Sequence, residues 1–288
     1  MRELLDIYRL RHAQKISGLR LLIYPLFGFA ASGVFTAYQF ERVGIAILDL
    51  ATVFACLLVA TVVNDFYDFR LRKEHNGIER FIDHPRTIIF AFGVPLIVAF
   101  VSLFILRLYP VTRTAYTFLW ASFLLSFLYS LPLVRLKDRF VAGVIVPPIG
   151  IFFLFLQAFL LFGYPNQVGW VVAFFVFLFA WYLEFLHIID DLHSGDGRKR
   201  MSIERGFFLL RAVAIIGGVA GLLFGVLVSP LFFISTVAWI LRFVAIRNST
   251  PADIARDRRS VLQPLWRLEE FAVYGAAGAL CFASYFCV

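Results

Sequence analysis

The chain has 288 residues, 61% of them hydrophobic and 16% charged, with a mean hydropathy of +0.84 and a net charge of +8. A soluble domain averages roughly 45–50% apolar and about 25% charged, so these proportions exclude a water-soluble enzyme. They leave no polar stretch long enough for a second domain, and the reading is one membrane domain over 1–288, whose basic excess is expected to meet anionic lipid and not nucleic acid.

The first segment, 1–16, carries charges throughout (Arg2, Glu3, Asp6, Arg9, Arg11, Lys15) before any long apolar run, which is not the pattern of a secretory signal. Leu4, Leu5, Tyr8 and Leu10 suit one face of a short helix on the membrane surface, and a solvated leader fits as well. Beyond it, apolar runs of the ~20 residues needed to cross a bilayer occur at 17–38, 44–65, 86–107, 112–131, 140–163, 167–189, 207–228, 230–247 and 268–288. The expected fold is therefore all-α and polytopic, with about nine transmembrane helices. Gly163-Tyr164-Pro165-Asn166 and Ser229-Pro230 divide neighbouring spans, and Pro147-Pro148 is the one conspicuous break inside a run. Cys56, Cys281 and Cys287 all lie in apolar stretches and form no CxxC pair. Asp49, near the start of the second run, is expected towards the outer face and receives no role.

Lys and Arg concentrate in the leader and in the loops 66–86, 132–140, 190–206 and 248–267, while the turns 164–167 and 229–230 have none. Only Arg42, Arg107 and Arg113 fall on the other side. By the positive-inside rule the N-terminus is cytoplasmic and the C-terminus opposite, which requires an odd number of spans.

Two polar clusters stand at the cytoplasmic ends of the second and sixth runs, where charge at membrane depth is costly and usually functional. The first is Asn64, Asp65 and Asp68, with Tyr67 among them and Arg70, Arg72 and Lys73 after them. If the helix continues, Asn64 and Asp68 are one turn apart and three oxygen-bearing side chains share a face. Such a face suits Mg²⁺, which binds through one or two carboxylates and keeps places for substrate phosphates. The bases could hold the remaining phosphate oxygens. The second cluster is Glu184, His187, Asp190, Asp191 and Asp196, followed by Arg198, Lys199 and Arg200. Glu184, His187 and Asp191 fall at i, i+3 and i+7 on one helical face. A di-iron bundle needs two Glu-x-x-His motifs plus further Glu, and only one is present, so a second Mg²⁺-carboxylate site is the better reading. Glu184 or His187 could also transfer a proton. The plainer reading of either cluster is a helix end emerging into water. Together the two, each flanked by bases on one membrane face, point to a membrane enzyme that ionises a prenyl diphosphate, its leaving-group charge neutralised by metal.

At these residues the chain resembles the UbiA superfamily of intramembrane prenyltransferases. Asn64, Asp65 and Asp68 match the first three positions of the family's Asn-Asp-x-x-Asp-x-x-x-Asp motif. Tyr129-Ser130 followed by Arg135-Leu136-Lys137 looks like its segment after the fourth helix, where a Tyr-Ser pair precedes a basic residue. The resemblance spans nearly the whole chain and implies a helical bundle around a central cavity, with a lateral opening for the isoprenoid chain. It implies Mg²⁺ held by Asn64, Asp65 and Asp68 on one side and by Asp191 and Asp196 on the other. Arg70, Arg72, Lys73, Lys137, Arg198 and Lys199 would then bind diphosphate oxygens, and Tyr67 and Tyr129 would stabilise an allylic cation. Glu184 and His187 are the first candidates for the base that activates the acceptor. Two departures are visible: Arg72 stands where the motif's last Asp belongs, and Asp191 and Asp196 are spaced by five instead of four.

The expected function is Mg²⁺-dependent transfer of an isoprenyl group from a prenyl diphosphate to an aromatic or other lipid-soluble acceptor. Within the same fold, phosphoribosyl transfer to a polyprenyl phosphate and terpene cyclisation are alternatives. So is a non-catalytic isoprenoid-binding protein, for which Arg72 is the best argument. A transporter ranks last, because it predicts polar residues at the bilayer midplane. Prenyl length, acceptor and oligomeric state are not readable from the sequence.

Overall fold

The computed structural model describes residues 22–32, 40–72, 84–109, 113–163, 165–193 and 201–253, together with Ile78 and Ile82. The expectations for the leader, for the ninth run and for Lys73, Asp196, Arg198 and Lys199 lie outside the described residues, as do the side chains of Arg72 and Asp191. The described residues are helical with no strand: α1 (Ile23–Ala31), α2 (Phe40–Arg72), α3 (Pro85–Leu106), α4 (Arg113–Ser130), α5 (Phe140–Leu160), α6 (Gln167–His193), α7 (Ile203–Leu227) and α8 (Phe233–Asn248). Short 3₁₀ turns lie at Leu136–Asp138 and at Pro230–Phe232. The second of these turns separates α7 from α8 at Ser229-Pro230, as the sequence suggests.

Six of the described helical segments are long and apolar enough to cross a membrane: Arg42–Leu71, Pro85–Leu106, Val141–Leu160, Gln167–Ile189, Ile203–Leu227 and Pro230–Asn248. The chain is thus an all-α polytopic membrane protein. One expectation needs correcting. Pro147 and Pro148 do not break their run, because α5 is continuous from Phe140 to Leu160. Each proline removes a backbone hydrogen bond, a loss that membrane helices tolerate where neighbouring groups re-satisfy the freed carbonyls. Pro95 is carried inside α3 in the same way.

The chain divides into two compact units. The first comprises Met1–Phe29, Val34–Arg139 and Phe153–Gly163, and the second Ala30–Gly33, Phe140–Phe152 and Tyr164–Val288. In the first, α2 packs along α3 and α4. Its core joins Val53, Leu119 and Leu154, with Leu22, Leu57 and Leu103 around them. A second cluster joins Val62, Ile78 and Ala91, with Phe66 and Phe69 against it. Gly28 lets α1 approach α5 closely, since a Cβ there would come within 2.5 Å of the Phe155 carbonyl oxygen. On α3, Ile89, Phe90, Ile97, Phe100 and Phe104 stay exposed, which suits a face turned to acyl chains.

In the second unit α7 packs on α6 and α8. Gly217, Gly221 and Gly225 recur every fourth residue and are buried, so that α8 seats Trp239, Thr236 and Phe233 directly against the α7 backbone. This is the small-residue ridge by which membrane helices pack closely without a hydrophobic driving force. A Cβ at Gly217 would fall 2.3 Å from the Trp239 ring. Ser202 caps α7, its Oγ accepting from the Arg205 N–H. Phe175 stacks on Phe232, with centroids 5.9 Å apart.

Candidate functional site

At 33 residues α2 is roughly 50 Å long at 1.5 Å per residue, well beyond the ~30 Å hydrocarbon core. Its surplus length carries Asn64, Asp65 and Asp68 on unbroken helix, so the condition set by the sequence is met. Asn64 Nδ2 donates to Asp68 Oδ2 at 3.0 Å, one turn on. Asn64 Oδ1 accepts from Ser130 Oγ, the last residue of α4, at 2.9 Å. The same oxygen accepts from Lys137 Nζ at 2.9 Å. Lys137 Nζ also donates to Asp68 Oδ1, in a short ion pair. Arg135 Nη2 completes the group at 3.3 Å from Asp68 Oδ1 and pairs through Nε with Asp138 Oδ2 at 2.5 Å.

These groups are withdrawn from solvent. Asp65, Asp68, Ser130 and Lys137 are all buried, Lys137 to 3% exposure. A lysine is almost never buried without a partner, and here the Asp68 carboxylate supplies one. The turn that delivers the two bases is itself unusual. Arg135 adopts φ 38° and ψ 61°, the only non-glycine residue with positive φ among the described residues. The left-handed region costs a non-glycine residue about 1–2 kcal/mol, and such strain clusters at functional sites.

A metal was expected on this face, and the hydrogen bonds give a test of fit. Lys137 Nζ touches both Asn64 Oδ1 and Asp68 Oδ1, so these oxygens converge on a single point occupied by a cation. An amide oxygen and the Asp68 carboxylate are oxygen donors of the kind a hard divalent ion takes, and Asp65 is buried on the adjacent position of the helix. Among the described residues no three of His, Cys, Asp and Glu gather as a metal cage. The donor set at α2 depends on an asparagine, which lies outside that group of residue types.

The other expected residues are placed as follows. Arg72 is the last residue of α2, one turn past Asp68. Arg70 is exposed and lies over the Phe66 ring, 5.5 Å from its centroid. Residues 66 and 70 lie about 200° around the helix from 64 and 68, so Arg70 is on the far face from Lys137. Tyr67 is half-buried, edge-on to Phe66. Tyr129 is half-buried next to the end of α4. In the second unit α6 continues unbroken to His193, so Glu184, His187 and Asp191 keep their common register. Glu184 is buried and His187 half-buried.

Sequence reasoning missed four polar groups. Ser130 and Arg135 were read only as parts of a segment, and nothing local singles them out as partners of α2. Arg242, on α8, is buried with its guanidinium 4.4 Å from the Phe179 centroid, 5.0 Å from Tyr182 and 5.2 Å from Trp239. An arginine inside an apolar run was signal enough to find it. Asp49, given no role, is fully buried and accepts from Gln157 Nε2 at 2.6 Å.

No protein-family model matches the chain, and no curated protein matches it in sequence. Among solved structures, its fold is similar to that of a digeranylgeranylglyceryl phosphate synthase in membranes, with a TM-score of 0.69. The match covers 98% of this chain and 98% of that one, at 14% sequence identity. The chain therefore shares, over its length, the all-helical fold of a membrane synthase.

Proposed function

We infer that this protein is an intramembrane prenyltransferase, moving an isoprenyl group from a prenyl diphosphate to a lipid-soluble acceptor. One observation carries the reading: Asn64 and Asp68 turn their oxygens to a common cation position, with a second base, Arg135, against the same carboxylate. That is an arrangement for a polyanion with its counter-ions, set at the end of a helix whose remainder is apolar. The fold shared with a synthase named for a geranylgeranyl lipid supports it.

The chemistry breaks the bond between C1 of the prenyl chain and the diphosphate oxygen, the electron pair leaving with diphosphate. A new bond forms from the acceptor to C1, and the acceptor gives up a proton. A divalent ion held by Asn64, Asp65 and Asp68 would neutralise charge on the leaving group. Lys137 and Arg135 are placed to donate hydrogen bonds to diphosphate oxygens, charge-assisted contacts roughly twice as strong as neutral ones. Asn64, tied to Ser130, keeps its amide oxygen turned to the cation position. Glu184 and His187 remain the first candidates to accept the acceptor's proton, and Asp191 the residue by which the second motif would bind metal.

The test is Mg²⁺-dependent release of pyrophosphate from geranylgeranyl or farnesyl diphosphate by the purified protein in detergent. Release that Asp65→Ala and Asp191→Ala each abolish is expected. Saturable binding of the lipid diphosphate without release would favour the second reading, an isoprenoid-binding protein, to which Arg72 in the place of a motif acid points. An Arg72→Asp variant separates the two, because gain of release marks a drifted enzyme.

A further inference from the structure

We propose that Lys137 is a built-in cation that competes with metal at the first motif, so that a divalent ion enters only together with a diphosphate. This deepens the reading above and rests on it for the identity of the anion.

The argument begins with position. The Lys137 ammonium bridges Asn64 Oδ1 and Asp68 Oδ1, the two oxygens that a divalent ion on this face would share. Arg135 stands on the same Asp68 oxygen. A bare divalent ion arriving here would meet two positive side chains, at least one of which must leave a buried carboxylate. At such distances like charges repel strongly even at an effective dielectric of about 20. Lys137 cannot simply retract either, because at 3% exposure it has little water to receive it.

A diphosphate changes both terms. It brings more negative charge than one divalent ion cancels, and its free oxygens offer new acceptors to Lys137 and Arg135. The ammonium can then move from carboxylate to phosphate without losing a charged partner, and Asn64 Oδ1 and Asp68 Oδ1 are freed for the metal. The segment that must move is the one held in strain: Arg135 sits at φ 38° immediately before the 3₁₀ turn that carries Lys137. Release of that conformation offsets part of the cost of breaking the Lys137–Asp68 pair.

The experiment measures binding of Mn²⁺, followed by its paramagnetic resonance signal, to the detergent-solubilised protein with and without inorganic pyrophosphate. Native protein is expected to bind Mn²⁺ weakly alone and at least about tenfold more tightly with pyrophosphate, one such step being the minimum expected from removing an adjacent unit charge. Lys137→Met should gain about tenfold or more in Mn²⁺ affinity without pyrophosphate, and adding Asp68→Asn should abolish that gain. Equal or weaker Mn²⁺ binding by Lys137→Met, or tight binding by native protein alone, would overturn the proposal. If Lys137→Met does not fold, Lys137→Gln and Arg135→Gln carry the same expectation of a gain, and the absence of a gain in both refutes it. Failure of the enzyme reading shows differently: no pyrophosphate is released from a prenyl diphosphate, while the Mn²⁺ gain in Lys137→Met persists.

Discussion

Asp49 and Asp68 are both buried on α2, about 28 Å apart along its axis at 1.5 Å per residue, and the protein treats them in opposite ways. Asp49 meets a neutral amide, Gln157, and one oxygen of each group has no hydrogen-bond partner among the described residues. Asp68 meets two cations and an amide, and neither of its oxygens is left over. Burial is common to both carboxylates, and what separates them is their company: Asp68 has charged partners that, on the reading proposed above, an incoming anion could take over, whereas the Gln157 amide has no charge to hand on.

The largest effect that tests this contrast is Asp68→Ala. It leaves Lys137 buried, and Arg135 partly buried, without that carboxylate, and breaking one side of a buried pair costs about 3–5 kcal/mol. Thermal unfolding in detergent should show the loss. Pyrophosphate release should fall by about 100-fold or more, the scale set by removing one preorganised group from a charge-stabilising site. Asp49→Ala makes the complementary case. It removes the acceptor of one Gln157 N–H, a cost of about 1–3 kcal/mol, with release from prenyl diphosphate within about twofold of native, since uniform ground-state effects leave the chemical step alone. Replacing both partners, as Asp49→Leu with Gln157→Leu, should recover most of that stability, because removing both members of a pair is nearly neutral. Loss of activity in Asp49→Ala comparable to that in Asp68→Ala would break the contrast.

How far the sequence could be read follows the same division. Helices were legible because each apolar run has to satisfy its own backbone in lipid, and run length then sets the element. The first motif was legible because Asn64 and Asp68 are local, one turn apart on a helix that continues. Arg135 and Lys137 reach Asp68 across nearly seventy residues, by way of a left-handed turn that no composition rule predicts at an arginine. Arg70 shows what adjacency in sequence leaves open: it follows the motif closely, and helical periodicity sets it over Phe66, on the face away from Lys137. Gln157 and Asp49 are a contact between distant runs and Trp239 against Gly217 one between neighbouring runs, and in both cases amphipathic pattern is silent on which apolar face meets which.

The smallest effect in the series concerns Ser130, and it sharpens what Asp68 needs from its neighbours. An asparagine side chain can turn over, exchanging its oxygen and nitrogen. Ser130 Oγ donates to Asn64 Oδ1, and Asn64 Nδ2 donates to Asp68, so the serine fixes which end faces Lys137. Ser130→Ala removes one of two donors to that oxygen, worth about 0.5–1.5 kcal/mol. Because Lys137 still holds the oxygen, a flipped amide would set an N–H against an ammonium and an oxygen against a carboxylate, both repulsive. The orientation should therefore survive. The expected outcome is a fall in kcat/KM of no more than about tenfold, the size of one such hydrogen bond. Combining Ser130→Ala with Lys137→Met should cost more than the two singly, since the amide then loses both donors that orient it. Strict additivity in that cycle would mean that Asn64 is oriented by Asp68 alone, and that the cation position is set by α2 without help from α4.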